Sequence, residues 1–258
     1  MERSFGDVLR DWRQARRMSQ LDLALAAEVS ARHVSFLESG RAEPSRTMTL
    51  KLAAALDMPK AAANEALRAA GFAAVFPVLS PSAADLAPVR RAISMTLKAH
   101  HPYPGIAINR GWDVIEANDS ARALFAALGA GPNMIEFLIF LGNLDIVENW
   151  EETAYLALLR LRSEIAHLGG DARLEDFAAR LAAHPRLKGA DLSTIDLDQA
   201  VIPTVFRFGD KRLSVFSTIA AFGSVQEVAA SEIRIELMYP ADEPTAAFFR
   251  AFAGGGAL

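Results

Sequence analysis

Between residues 5 and 71 the apolar side chains recur at the three-to-four-residue spacing of a buried helical face. Phe5, Val8, Leu9 and Trp12 form one such stripe, within a helix expected from Phe5 to Arg17. Ser19 then fits an N-cap, with Asp22 three residues on as a short-armed capping-box partner. Leu21, Leu23, Ala24 and Ala27 follow at helical spacing. Ser30 is a second cap, opening a helix with Val34 and Leu37 inward, and Gly40 suits its left-handed closing position. A fourth helix is expected from Met48 to Leu56, and a fifth from Pro59 to Gly71.

The pattern then changes. Residues 73–88 hold three prolines and read as a linker. Val89 to Ala99 has helical spacing. Gly105 to Asn109 and Trp112 to Asn118 are short strand-like runs joined at Arg110-Gly111, as in a hairpin. Helical segments follow from Ser120 to Leu128, Met134 to Leu141, Val147 to His167 and Leu174 to Ala183. Thr204 to Phe208, Leu213 to Phe222 and Glu232 to Tyr239 are again strand-like, the first two joined by Gly209-Asp210. A helix from Glu243 to Phe252 precedes a loose tail. The fold expected is two domains: an all-α, five-helix head over residues 1–72, then an α+β domain over 89–258 with an antiparallel sheet of about five strands.

With 52% apolar and 22% charged residues, the chain can bury a real core. No apolar run has the length of a membrane span, and the amphipathic N-terminus lacks the apolar core of a secretory signal, so a cytoplasmic location is expected. The absence of cysteine excludes disulfides, thiolate metal ligands and a cysteine nucleophile. Net charge is −4, but residues 1–72 carry 11 Lys+Arg against 9 Asp+Glu, and the remainder is acidic. A mildly basic head on an acidic body suits a nucleic-acid-reading module attached to a domain that stays off nucleic acid.

Between Ser19 and Leu37 two short helices must meet at a fixed angle. Leu23, Ala24, Val29, Val34 and Leu37 supply small or apolar residues where they touch. The second helix can then place its outward residues in a DNA major groove. Gln20, Ala31, Arg32, Ser35 and Phe36 are the candidate base contacts: Arg32 for guanine O6 and N7, Gln20 for adenine, Ala31 for a thymine methyl. The alternatives are phosphate contacts by Arg32 and Gln20, or an ordinary helical hairpin on which both are merely solvated. Arg41, Ser45 and Arg46, in the following loop, are candidate phosphate contacts, or plain surface.

The run SQLDLALAAEVSARHVSFLESGRAEPSRTMTLKLAAAL resembles the phage-repressor helix-turn-helix of xenobiotic-response-element family regulators. With RHVSF, GR and PSR, it is similar to regulators that carry a C-terminal MmyB-like ligand-binding domain of PAS-like fold. HHPYPGIAINRGWDVIEAND and ENWEETAYLALLRLRSEI resemble that domain. The resemblance implies a double-stranded DNA operator and a pocket between sheet and helices for a small apolar or fatty-acid-like ligand; because one helix-turn-helix covers only a half-site, a homodimer made by the C-terminal domain is expected.

Candidate pocket walls are Phe137, Phe140, Trp150, Tyr155, Phe206, Phe208, Phe216 and Tyr239, with Arg207 or Arg234 to anchor an anionic group. The same residues also suit an ordinary packed core. Arg212 is a further possible anchor. The acidic stretch from Asp145 to Glu152, taken as helical, is either a pocket lid or a docking face. In the second case the C-terminal domain is a protein-interaction module without a small-molecule ligand. No cofactor or metal is expected: of the candidate haem ligands His100, His101, His167 and His184, the His100-His101 pair lies beside Pro102 in a turn-like, surface context, and Glu164 with His167 makes only one metal-type pair. No phosphate loop, nucleophile elbow or HExxH helix appears, so enzymatic activity is not expected. Asp113, Glu116 and Asp119 are expected to face solvent.

Overall fold

The computed structural model describes residues 3–78, 84–196, 201–223 and 227–253. Residues 79–83 of the expected linker and the tail at 254–258 lie outside them. The chain divides into two compact units. One comprises Met1–Val78, Arg162–Ala172 and Gln226–Val228; the other comprises Leu79–Leu161, Arg173–Val225 and Ala229–Leu258.

Five helices build the N-terminal part of the first unit: α1 (Phe5–Ala15), α2 (Gln20–Ala26), α3 (Ala31–Glu38), α4 (Arg46–Ala55) and α5 (Lys60–Ala69). Their starts are set by serine caps. Ser4, Ser19, Ser30 and Ser45 each accept a hydrogen bond from the backbone N–H three residues on, and Ser19 with Asp22 completes the capping box in both directions. The stripe Phe5, Val8, Leu9 and Trp12 packs with Leu23, Ala24, Val34, Leu37, Leu52 and Leu56 in one core. α1 and α3 approach so closely at Gly6 that an added Cβ would lie 2.6 Å from the Glu38 carbonyl oxygen. Gly40, at φ +70°, ends α3 as its position predicts.

The second unit contains α6 (Ala87–Ala99), β1 (Gly105–Ile108), β2 (Val114–Ala117), α7 (Asp119–Leu128), α8 (Met134–Leu141), α9 (Trp150–Leu168, up to Leu161), α10 (Ala172–Ala182, from Arg173), α11 (Pro185–Lys188), β3 (Thr204–Phe208), β4 (Lys211–Ala221), α12 (Val228–Ser231, from Ala229), β5 (Arg234–Pro240) and α13 (Glu243–Ala253). All pairings in the sheet are antiparallel, in the order β2-β1-β5-β4-β3. This is the α+β arrangement with a five-stranded antiparallel sheet expected from the order of elements. Both predicted hairpins form, with Gly209 at φ +62° in the second. Ile93 and Leu97 of α6 pack on Ala107 and Ile235.

Two departures from the sequence pattern have clear causes. α9 begins at Trp150 rather than Val147, because the chain before it runs along the free edge of β3. There the Glu148 amide donates to the Val205 carbonyl and the Arg207 amide to the Ile146 carbonyl, both at 2.8 Å. That covers an edge strand that would otherwise leave backbone groups unpaired. Asp113, expected in solvent, instead takes two hydrogen bonds from Arg173 at 2.7 and 2.6 Å and one each from Asn109 and Asn133. The Arg173 guanidinium holds its carboxyl at about 2 despite the opposing effect of burial. Among the described residues, no helix is long and apolar enough to cross a membrane.

Candidate functional site

Two places in the chain collect the chemistry singled out from sequence, one in each unit. In the first unit, α3 turns Val34 and Leu37 into the core and leaves Arg32 exposed, with Ser35 and Phe36 half-buried. Arg41 and Arg46 are exposed beyond the helix. Among the described residues, no carboxylate lies within ion-pair distance of Arg32, Arg41 or Arg46. The Arg32 guanidinium carbon lies 5.1 Å from the Phe36 ring centroid, and that of Arg41 lies 6.0 Å from the same centroid. Ser45 uses its oxygen to cap α4 at 3.1 Å from the Met48 amide, which leaves its hydroxyl hydrogen available as a donor. Ala31 packs partly against the core.

Gln20 has a partner that sequence spacing does not reveal. Its side-chain amide donates at 2.9 Å to Glu38, whose carboxylate is buried beneath α1 and α2. Arg13 grips that carboxylate through Nε at 2.6 Å and a terminal nitrogen at 3.1 Å, while Arg10 approaches to 3.8 Å. Burial pushes the Glu38 carboxyl up, but hydrogen bonds from Arg13 and Gln20, with the charges of Arg13 and Arg10, leave it below the ordinary glutamate value. The Gln20 nitrogen is thereby turned inward. The signal available in the sequence was a glutamate on the apolar side of α3, one residue after Leu37.

In the second unit, a cavity of about 310 Å³ lies among α7, α8, α9 and the sheet. Its volume falls within the range of small-molecule sites. Leu124, Phe125 and Leu128 of α7 and Ile135, Phe137 and Leu141 of α8 make one wall. Thr153, Leu156, Ala157 and Arg160 line it from α9, at the i, i+3, i+4, i+7 positions of one helical face. The sheet contributes Thr204 and Phe206, then Val215, Phe216, Ser217 and Ile219, then Glu236 and Met238. Charge is sparse: Arg160 and Glu236 are the ionisable groups of the lining. The Arg160 guanidinium lies 4.2 Å from the ring centroid of Trp112, itself part of the wall.

Of the residues proposed from sequence for such a pocket, Phe137, Phe206 and Phe216 line it. The others lie elsewhere. Trp150 is fully buried in the core, where its indole N–H donates to the Leu138 carbonyl at 2.8 Å and its ring meets His184. Tyr239 alternates with Glu236 and Met238 along β5, stacking on Phe216 and meeting His100 edge-on. Phe208 stacks on Phe206 outside the lining, Phe140 is 41% exposed, and Tyr155 is half-buried on another side of α9. Arg207 and Arg212 both bond Glu148 on the surface, so their charges are directed away from the cavity. Arg234 lies outside the lining, with its guanidinium carbon 5.0 Å from the Trp112 centroid.

Sequence reasoning missed Arg160 because it weighed aromatic content and not the face of α9; the spacing of Thr153, Ala157 and Arg160 would have found it. None of the four histidines considered lines the cavity. His100 Nε2 lies 2.7 Å from the Met238 carbonyl, His101 contacts Ser120, and His184 packs on Trp150.

A family model described as "MmyB-like transcription regulator ligand binding domain" matches residues 89–252, and one described as "Helix-turn-helix" matches residues 9–61. No curated protein matches the chain.

Proposed function

The chain belongs to the family of the MmyB-like transcription regulator ligand binding domain, with a helix-turn-helix head, and on that premise we propose that it reads a DNA operator as a homodimer whose affinity a small apolar or amphipathic ligand adjusts. The observation that carries the ligand part is the cavity: apolar walls with few polar points are what recognises a hydrocarbon body bearing one polar end. Arg160, Glu236, Thr153, Thr204 and Ser217 are those points in the lining. A fatty-acid-like carboxylate would set its tail among Phe137, Leu141 and Phe206 and its head toward Arg160.

On the DNA side, Ala31, Arg32, Ser35 and Phe36 are assigned to base edges, with Gln20 offering only its side-chain oxygen while Glu38 holds its nitrogen, and Arg41, Ser45 and Arg46 to phosphates. Among the described residues no carboxylate neutralises Arg32 or Arg41, which supports a role toward an anionic partner. One head spans a half-site, so useful specificity calls for two related by a two-fold axis, about one helical turn apart. A ligand that binds one arrangement of the dimer better than another shifts operator affinity by that difference in binding.

Electrophoretic shift titrations of the full chain on an operator selected from random duplexes test this. A saturated medium-chain carboxylate at saturating concentration is expected to move the midpoint by about 5-fold or more. If no amphiphile of this class moves the midpoint or binds the protein, the C-terminal domain serves instead to dock another protein.

A further inference from the structure

We infer that Phe36 is a positioning residue of the DNA-reading surface: its ring holds the Arg32 and Arg41 guanidiniums in one arrangement, so that base edge and phosphate meet cations already in place. The inference rests on the DNA-binding reading above and says how that surface is organised.

Three features of the molecule carry it. Phe36 is a large apolar side chain on the outward side of α3 that takes no part in the head's core, whose α3 members are Val34 and Leu37. Yet it is only half-exposed, and Arg32 and Arg41 approach its ring at 5.1 and 6.0 Å. Both distances are within the range of cation–π attraction. Arg32 reaches the ring from one turn back along α3, the i, i+4 relation that brings side chains together on a helix.

Arg41 reaches it for a different reason. The Phe36 carbonyl accepts the amides of Arg41 at 2.8 Å and Ala42 at 3.2 Å, after Gly40 has reversed the chain. One residue therefore anchors the loop by its backbone and both cations by its side chain. Free arginine side chains lose many rotamers when they bind, and a ring that already selects one reduces that loss. The arrangement also gathers two like charges at one ring with no carboxylate beside them among the described residues, leaving their repulsion for an anionic groove to relieve.

Two measurements on the full chain test this. The first is sequence selection from random duplexes, followed by binding titrations, for wild type, Arg32→Ala, Phe36→Leu and Phe36→Trp. Phe36→Leu is expected to weaken operator binding by about 5- to 20-fold and to flatten base preference at the same position that Arg32→Ala flattens. The salt dependence should stay as in wild type, because no charge is removed. Phe36→Trp, which keeps an aromatic face, should restore both affinity and preference.

The second measurement needs no DNA. In NMR spectra of the free protein, the δ-methylene protons of Arg32 and Arg41 should show ring-current shifts that vanish in Phe36→Leu and persist in Phe36→Trp. Absence of those shifts in wild type overturns the proposal. So does a Phe36→Leu profile that loses affinity evenly across all sequences, or one that does not change. If wild type enriches no sequence at all, the DNA-binding reading itself fails, and the platform has nothing to position.

Discussion

Glu38 is a buried carboxylate shared by three elements: it sits at the end of α3, takes Arg13 of α1 in two hydrogen bonds, and holds the Gln20 amide at the start of α2. Removing one partner of such a pair leaves the other cation without its counter-charge in a poorly hydrated place. Glu38→Ala is therefore expected to destabilise the head by about 3 kcal/mol, and Glu38→Gln by less. Peptide-resolved hydrogen exchange should show the loss in α1 and α3 first. The pH dependence has a definite sign. Because Glu38 lies below its ordinary value in the fold, its contribution is present above the unfolded carboxylate range. That contribution disappears as pH falls from about 4 through the lowered folded value, so the gap between wild type and Glu38→Ala should close in acid. A gap that persists or widens below that range would show that packing, not charge, is what the alanine removes.

Among elements, the second unit is tied together by asparagines that end or begin helices and strands. Asn118 caps α7 by accepting from the Ala121 amide at 2.9 Å, and the same oxygen accepts from the Gly105 amide at the start of β1 at 3.1 Å. Its side-chain nitrogen donates to the Leu97 carbonyl in α6 and the Tyr103 carbonyl before β1, at 3.1 and 2.8 Å. All four hydrogen-bonding positions of the amide are thus used, and the residue is 6% exposed. Asn133 acts alike at α8, with two accepted amides and two donated bonds. Asn118→Ala removes a cap and leaves buried backbone groups of three elements unsatisfied, at a cost of about 3 kcal/mol. Urea unfolding followed by the tryptophans Trp112 and Trp150 of this unit should record it. An unchanged midpoint would mean that water replaces the amide.

For the molecule as a whole, the cavity should behave as a linkage site. A ligand bound only by the folded form stabilises it by about 2.7 kcal/mol at a hundred times its dissociation constant. For a chain of this size that amounts to a rise in Tm of about 5–10 °C. Ala157 lines the cavity from the middle of α9. Ala157→Phe fills that space and should abolish the ligand-induced rise, while the unliganded protein stays within about 2 kcal/mol of wild type. Differential scanning fluorimetry with a medium-chain carboxylate checks this. A rise that survives the substitution would place the ligand elsewhere.

The one-dimensional pattern alone determined much of this protein. Serine caps at Ser19 and Ser30, the glycine after α3 and the period of apolar residues specify the five helices of the head, because caps and amphipathic spacing act within a few residues of chain. For the same reason the hairpins at Arg110-Gly111 and Gly209-Asp210 and most strand limits were legible. The candidate DNA surface was legible too, since the inward turn of Val34 and Leu37 leaves Arg32 outside by helical geometry. Only the tertiary structure decided what meets across distance. Sheet register sends Met238 and Glu236 to the cavity side while Tyr239 alternates away, and composition carries no register. Charge partners at long separation, such as Arg207 and Arg212 with Glu148, or Asp113 with Arg173, form only once the chain has closed. Local hydrogen bonding and spacing set the elements, whereas the use of each side chain depends on neighbours that the folded chain alone supplies.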